Sequence, residues 1–195
     1  MNWIINNWLE LFGVASGLLF LYLEIKEKLW LWPVGLITSA VYIIVFFKSG
    51  FYADMALQGY YVAISIYGWW HWISGRTNNS EKHKLPITRL KKQLAIILAA
   101  VTLVLWFVMW LILSKFTDSQ VPIGDSFTTA LSIVATWMLA RKILEQWCVW
   151  GVVNAVSLSL YLYKGLYPTS ILFVFYTVMV VVGYIEWKKN LKSEI

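Results

Sequence analysis

The sequence predicts an all-α integral membrane protein of seven transmembrane helices, grouped as three, one and three. Three observations predict it. Only 13% of the 195 residues are charged, 60% are hydrophobic and 17% are aromatic, where a soluble domain averages about 25% charged. Seven charge-free runs divide the chain. The last part of the chain also repeats the first at a constant offset, with Trp32 falling on Trp147 and Trp72 on Trp187. So little charge cannot cover a water-facing surface, so lipid is the expected solvent. At this length residues 1–195 are read as a single transmembrane domain.

A spanning helix needs about 20 mostly apolar residues. The runs are Leu11–Leu23, Leu29–Phe47, Met55–Gly75, Leu94–Ser114, Ser126–Ala140, Gln146–Tyr163 and Gly165–Ile185. The first and fifth are short and must borrow flanking residues. Backbone in lipid must bond internally, which at these lengths means helices rather than a barrel. The links are tight except Arg76–Gln93 and Lys115–Asp125. Pro33 and Pro168 suit first helical turns. Asp125 and Asp54 read first as helix caps, and Glu145 as an i, i+4 partner of Arg141. Trp3, Trp8, Trp30, Trp72 and Trp187 read as interfacial belt anchors, and His71 in "WWHW" as an interfacial side chain.

Loop cations set the orientation. One face receives Lys26, Lys28, Arg76, Lys82, Lys84, Arg89, Lys91, Lys92, Arg141, Lys142, Lys188, Lys189 and Lys192, and the other only Lys48, Lys115 and Lys164. The C-terminus is therefore expected in the cytoplasm and the N-terminus outside. The basic loop reads as a cytoplasmic face against anionic lipid headgroups, not as a nucleic-acid patch. No lysine or arginine precedes Lys26, which argues against a cleaved signal peptide. The single cysteine, Cys148, allows no intrachain disulfide and no metal cluster.

The repeat aligns without a gap. Ala15 falls on Ala130, Gly50 on Gly165, Tyr52 on Tyr167, Leu57 on Leu172, Tyr61 on Tyr176 and Gly68 on Gly183. Matches of Gly, Trp and Tyr are harder to reach by chance than matches of Leu or Val. Repeat one covers about 12–75, a linker helix about 94–114, and repeat two about 126–188. A single linker helix after an odd number of spans makes the repeats parallel, an arrangement that in transporters places the substrate at the repeat interface.

Each repeat carries a polar and aromatic stripe. On the sixth run Trp147, Trp150, Asn154, Ser157 and Tyr161 share one helical face. On the second run Trp32, Gly35, Ser39, Tyr42 and Phe46 do so, and on the third Asp54, Gln58, Tyr61, Ser65, Gly68 and Trp72. The seventh has Thr169, Phe173, Tyr176, Val180, Gly183 and Trp187. An unpaired buried amide costs about 1–3 kcal/mol, so Asn154 and Gln58 require partners: each other, another helix, or a visiting solute. Helix glue is the plain alternative. Amides among aromatic rings suit a ring-bearing polar solute, whose ring can stack and, if cationic, be attracted over aromatic faces. The candidate substrate-binding residues are Gln58, Trp150, Asn154, Tyr61, Ser39, Tyr42, Ser157, Tyr176 and Asp54, expected to line one central space. The repeats differ at Ser39/Asn154, Gln58/Phe173 and Asp54/Thr169, as an asymmetric solute requires.

The stretches "ALQGYYVAISIYGWW" (56–70), "GDSFTTALSIVATWMLARKILEQW" (124–147) and "WGVVNAVSLSLYLYKGLY" (150–167) resemble the PnuC family of bacterial vitamin transporters, over roughly residues 12–187. The resemblance implies a full-length SWEET-like fold, a homotrimer in the bacterial inner membrane, and facilitated diffusion of a vitamin precursor trapped by a cytoplasmic kinase. The family's best-known substrate is nicotinamide riboside; a similar sister group carries thiamine. The neutral Asn154, four residues after Trp150, is similar to the riboside branch, while "TT" at Thr128 and Thr129 also suits thiamine carriers.

No acid lies mid-span, and proton or sodium relays normally use intramembrane carboxylates, so a uniporter is expected. Two histidines and one cysteine supply no nucleophile–base pair and no cofactor or metal site, so no enzyme is expected. A membrane receptor or sensor is the remaining alternative, although the longest loop is too short for an output domain.

Overall fold

The structure, a computed structural model, describes residues 8–49, 52–75, 85–117, 121–163, 165 and 167–193. Trp3, Gly50, Arg76, Lys82, Lys84 and Lys164 lie outside the described residues, as do the side chains of Trp8, Tyr52, Pro168, Thr169 and Lys192. Among those described there are seven helices: α1 (Trp8–Ile25), α2 (Leu31–Ser49), α3 (Tyr52–Ser74), α4 (Lys92–Phe116), α5 (Pro122–Ala140), α6 (Gln146–Tyr163) and α7 (Tyr167–Ser193). Four contain stretches long and apolar enough to cross a membrane: Leu31–Lys48, Lys92–Phe116, Pro122–Ala140 and Ser170–Leu191. The apolar part of α1, Phe12–Ile25, is shorter. Tyrosine, tryptophan, serine and amide side chains dilute α3 and α6, whose stripes lower their hydropathy.

Only α6 has the expected bounds; the other helices begin or end a few residues away from their runs. The helix α7 continues past Ile185 to Ser193, because lysine is a good helix former and nothing there breaks the turn. The helix α5 begins at Pro122, whose fixed φ suits a first turn. Asp125 is therefore not a cap. Val121 holds the N-cap position without a side-chain bond, and Asp125 lies in the first turn, where its charge favours the helix dipole. Asp54 likewise sits inside the first turn of α3.

The chain divides into two compact units, Met1–Leu85 and Pro86–Ile195. In the first, α1 packs on α2 and α2 on α3. In the second, α4 packs on α5, α5 on α6 and α6 on α7. None of the residues of α4 is buried, although Leu94, Leu98 and Leu105 touch the cluster of Val134, Met138 and Ile143.

One turn occurs in both units, bond for bond. After α1, Glu27 N–H donates to Glu24 O (3.0 Å), Lys28 N–H to Leu23 O (2.8 Å) and Leu31 N–H to Lys28 O (3.1 Å). After α5, Lys142 N–H donates to Leu139 O (2.9 Å), Ile143 N–H to Met138 O (3.0 Å) and Gln146 N–H to Ile143 O (3.2 Å). The residue at the left-handed position is Glu27 in one and Lys142 in the other, each with φ of 51°. Glycine usually takes this position in a Schellman-type stop, so both turns carry the same backbone strain.

The helix pair that follows is locked the same way in each unit. Trp32 stands edge-on to Trp72 (5.5 Å, 87°) and Trp147 to Trp187 (5.7 Å, 88°). Each first indole occupies a seat that only glycine leaves open: a Cβ at Gly68 would collide with Trp32, and one at Gly183 with Trp147. Trp72 and Trp187 are thus buried packing residues rather than belt anchors. Trp30, 71% exposed, keeps the exposure a belt residue needs.

Candidate functional site

In the second unit, α6 begins at the strained turn, and Trp147 in its seat packs it against α7. Trp147, Val153, Asn154 and Ser157 are buried on this helix. Asn154 is only 6% exposed. The indole nitrogens Nε1 of Trp147 and Trp150 are both buried and meet no hydrogen-bond acceptor. At the far end of the stripe, Tyr161 packs on Phe173 (4.9 Å) and Phe173 on Tyr176 (5.7 Å). The structure thus brings Trp150, Asn154 and Ser157 onto one face of α6, with half-buried Tyr176 on the adjoining helix α7.

In the first unit the corresponding face of α2 is filled by protein. Gly35 lies against Phe20 of α1 and Ser65 of α3; a Cβ there would sit 3.0 Å from the Phe20 ring and 3.2 Å from Ser65 Oγ. Ser39 is buried. Tyr42 places its hydroxyl end against Gly13 of α1 and its ring on Phe46 (5.7 Å). The proximity of Tyr42 to α1 gives it a packing role within the unit. Gln58 and Tyr61 are half-buried on α3, Tyr61 lies beside Tyr60 (5.6 Å), and Asp54 is exposed. The stripe of α3 therefore runs from a sealed end at Trp72 to an open end at Asp54. Thr169 lies outside the described side chains.

A groove of about 340 Å³ lies in the second unit, lined by Leu103, Trp106, Phe107, Trp110 and Ile123. Its walls are almost wholly apolar, and of its two tryptophans Trp106 already donates its indole N–H to Ile123 O (3.1 Å). It suits an apolar occupant better than a polar solute, and none of the nine candidate residues lines it.

Sequence reasoning missed two features. One is the burial of Trp72 and Trp187; the signal was the joint recurrence of Gly and Trp at a four-residue spacing. The other is the partner of Glu145. Its carboxylate accepts the Leu90 N–H (2.8 Å) and lies 3.9 Å from the Arg89 guanidinium. Arg141 places its own guanidinium 5.8 Å from the Trp137 ring.

Comparison with known proteins gives this arrangement a context. Residues 7–189 match the family described as "Nicotinamide mononucleotide transporter". The chain belongs to this family. PnuC proteins are among its relatives. The nicotinamide riboside transporter PnuC of Escherichia coli is 27% identical over 93% of this chain and 85% of its own length. PnuC of Neisseria mucosa is 28% identical over 96% of this chain and 74% of its own. The riboflavin/roseoflavin transporter RibM of Streptomyces davaonensis is 26% identical over 96% and 92%. Among solved structures, that of the vitamin B3 transporter PnuC superposes with a TM-score of 0.75 at 26% identity, covering 96% of this chain and 83% of that one. With its four membrane-length helices, this PnuC-family chain is a multi-pass membrane protein.

Proposed function

We propose that this protein takes up nicotinamide riboside across the bacterial inner membrane by facilitated diffusion, with the riboside trapped inside by a cytoplasmic kinase. The observation that carries the reading is the face of α6: a buried amide, Asn154, one turn from the buried and unmatched indole donor of Trp150. An amide that both donates and accepts suits a carboxamide or ribose hydroxyl, and an indole suits a pyridinium ring. Gln58, Tyr61, Ser39, Ser157, Tyr176 and Asp54 contribute the remaining polar and aromatic contacts. Tyr42 contributes least, because it packs on α1. We further propose seven spans in a parallel three–one–three, SWEET-like arrangement, an external N-terminus, a cytoplasmic C-terminus and a homotrimer.

RibM, named for riboflavin and roseoflavin, is about as similar to this chain as the PnuC relatives are, so a flavin is the second reading, with thiamine a third. Titrating purified protein with nicotinamide riboside, nicotinamide mononucleotide, thiamine and riboflavin separates them. The riboside is expected to bind most tightly; preferential binding of riboflavin or thiamine overturns the assignment. In liposomes, counterflow of the riboside is expected to persist with an uncoupler present. Its abolition would assign coupling to an acid such as Asp54.

A further inference from the structure

Residues 86–90 do not simply lead into α4. Thr88 N–H donates to Lys142 O (2.9 Å) and Leu144 N–H donates to Thr88 O (2.9 Å), a single parallel bridge onto the α5–α6 turn. Ile87 and Ile143 are each 3% exposed. Leu90 packs on the Val134, Met138 and Ile143 cluster and gives its N–H to Glu145 Oε2 (2.8 Å). Arg89 adds an exposed ion pair, of a kind worth little by itself. The bond to a carboxylate is the stronger element, because charge-assisted bonds are roughly twice as strong as neutral ones.

Glu145 holds both ends of this connection. Its side chain grips the segment before α4, and its backbone carbonyl accepts two N–H groups of the first turn of α6, from Cys148 (3.0 Å) and Val149 (3.3 Å). Turning α6 about its axis would pull the carboxylate from Leu90. One residue of rotation is about 100°, enough to carry Trp150 and Asn154 off their face. The equivalent position in the first unit is Trp30, which has no carboxylate and is exposed.

We propose that residues 86–90 are a strap that sets the rotation of α6, and that Glu145 is a positioning residue for Trp150 and Asn154. The substrate consequence rests on the function proposed above; the strap itself does not.

The test uses the full chain in detergent, labelled with 5-fluorotryptophan, the Trp150 resonance being assigned from Trp150→Phe. Glu145→Ala is expected to raise amide exchange at Leu90 and Leu144 by tenfold or more, given the usual strength of a bond to a charged acceptor. It should shift or broaden the Trp150 resonance and weaken riboside binding severalfold. Glu145→Gln keeps an acceptor oxygen and should restore most of each. Should Glu145→Ala fail to fold, Leu90→Pro removes the donor instead and should displace the same resonance. An unmoved Trp150 resonance in Glu145→Ala, or in Leu90→Pro where that variant stands in for it, overturns the strap. A moved resonance with unchanged riboside affinity overturns the positioning role. If the parent binds no riboside, the functional reading fails while the fluorine signal still decides the strap.

Discussion

The α2 face of the first unit and the α6 face of the second start from the same strained turn and the same tryptophan seat, yet they are filled differently. In the first, Phe20 of α1 presses against Gly35 of α2, and Tyr42 of α2 against Gly13 of α1. At the matching positions of the second stand Ala135 and Trp150, then Ser157 and Thr128. Bulk has moved between helices. The first unit packs its own side chains against this face. The second carries on α6 a large ring with an unmatched N–H beside a buried amide. The shared parts fix the scaffold, and the exchanged volumes leave the two faces with different side chains and different polar groups.

The largest effect should come from the shared parts. Gly183→Leu and Gly68→Leu each drive a side chain into an indole, and overpacking of this kind costs about 1–3 kcal/mol, occasionally more. Both should lower the melting temperature by similar amounts, measured by thermal unfolding in detergent. Tolerance of one but not the other would show that the two seats are not equivalent.

Next come the exchanged parts. Asn154→Ala should lose about 1–3 kcal/mol of riboside binding, roughly tenfold or more in affinity. Trp150→Ala should lose at least as much, and Trp150→Phe, which keeps a ring but removes the N–H, should fall between it and the parent. Ser39→Ala, at the position matching Asn154, should change affinity less than Asn154→Ala. Isothermal titration of each folded variant decides; equal losses at Ser39 and Asn154 would erase the asymmetry.

The smallest effects calibrate the rest. Leu98 lies outside both repeats but packs on the Val134 cluster, so Leu98→Ala should cost about 1 kcal/mol and is a poor control. Val104, 63% exposed, is a better one: Val104→Ala should stay within about 0.5 kcal/mol of the parent and leave riboside affinity unchanged.

The helices were legible because lipid tolerates so few charges that Lys, Arg, Asp and Glu mark where apolar runs stop. The α6 stripe was legible because Trp150, Asn154 and Ser157 recur at helical spacing. Periodicity could not tell a belt tryptophan from a buried one; Trp30 and Trp72 both stand near span ends, and only packing against Trp32, itself seated on Gly68, separates Trp72 from the surface. Nor could it reveal that Tyr42 turns toward α1, since that depends on the space left at Gly13. The Leu90–Glu145 bond joins residues 55 apart, and no local pattern announces such a contact.

With its 27 residues, α7 is about 40 Å long at 1.5 Å per residue, while the hydrocarbon layer is about 30 Å thick. The surplus falls most cheaply at the lysine-bearing C-terminal turns, where Lys188 is set 5.6 Å from the Tyr184 ring, as a short helical post. A helical fusion continued from that post would inherit the tilt of α7. A protein this small, otherwise hidden inside its micelle, would thereby gain a fiducial for electron microscopy without a change to any residue of its stripes.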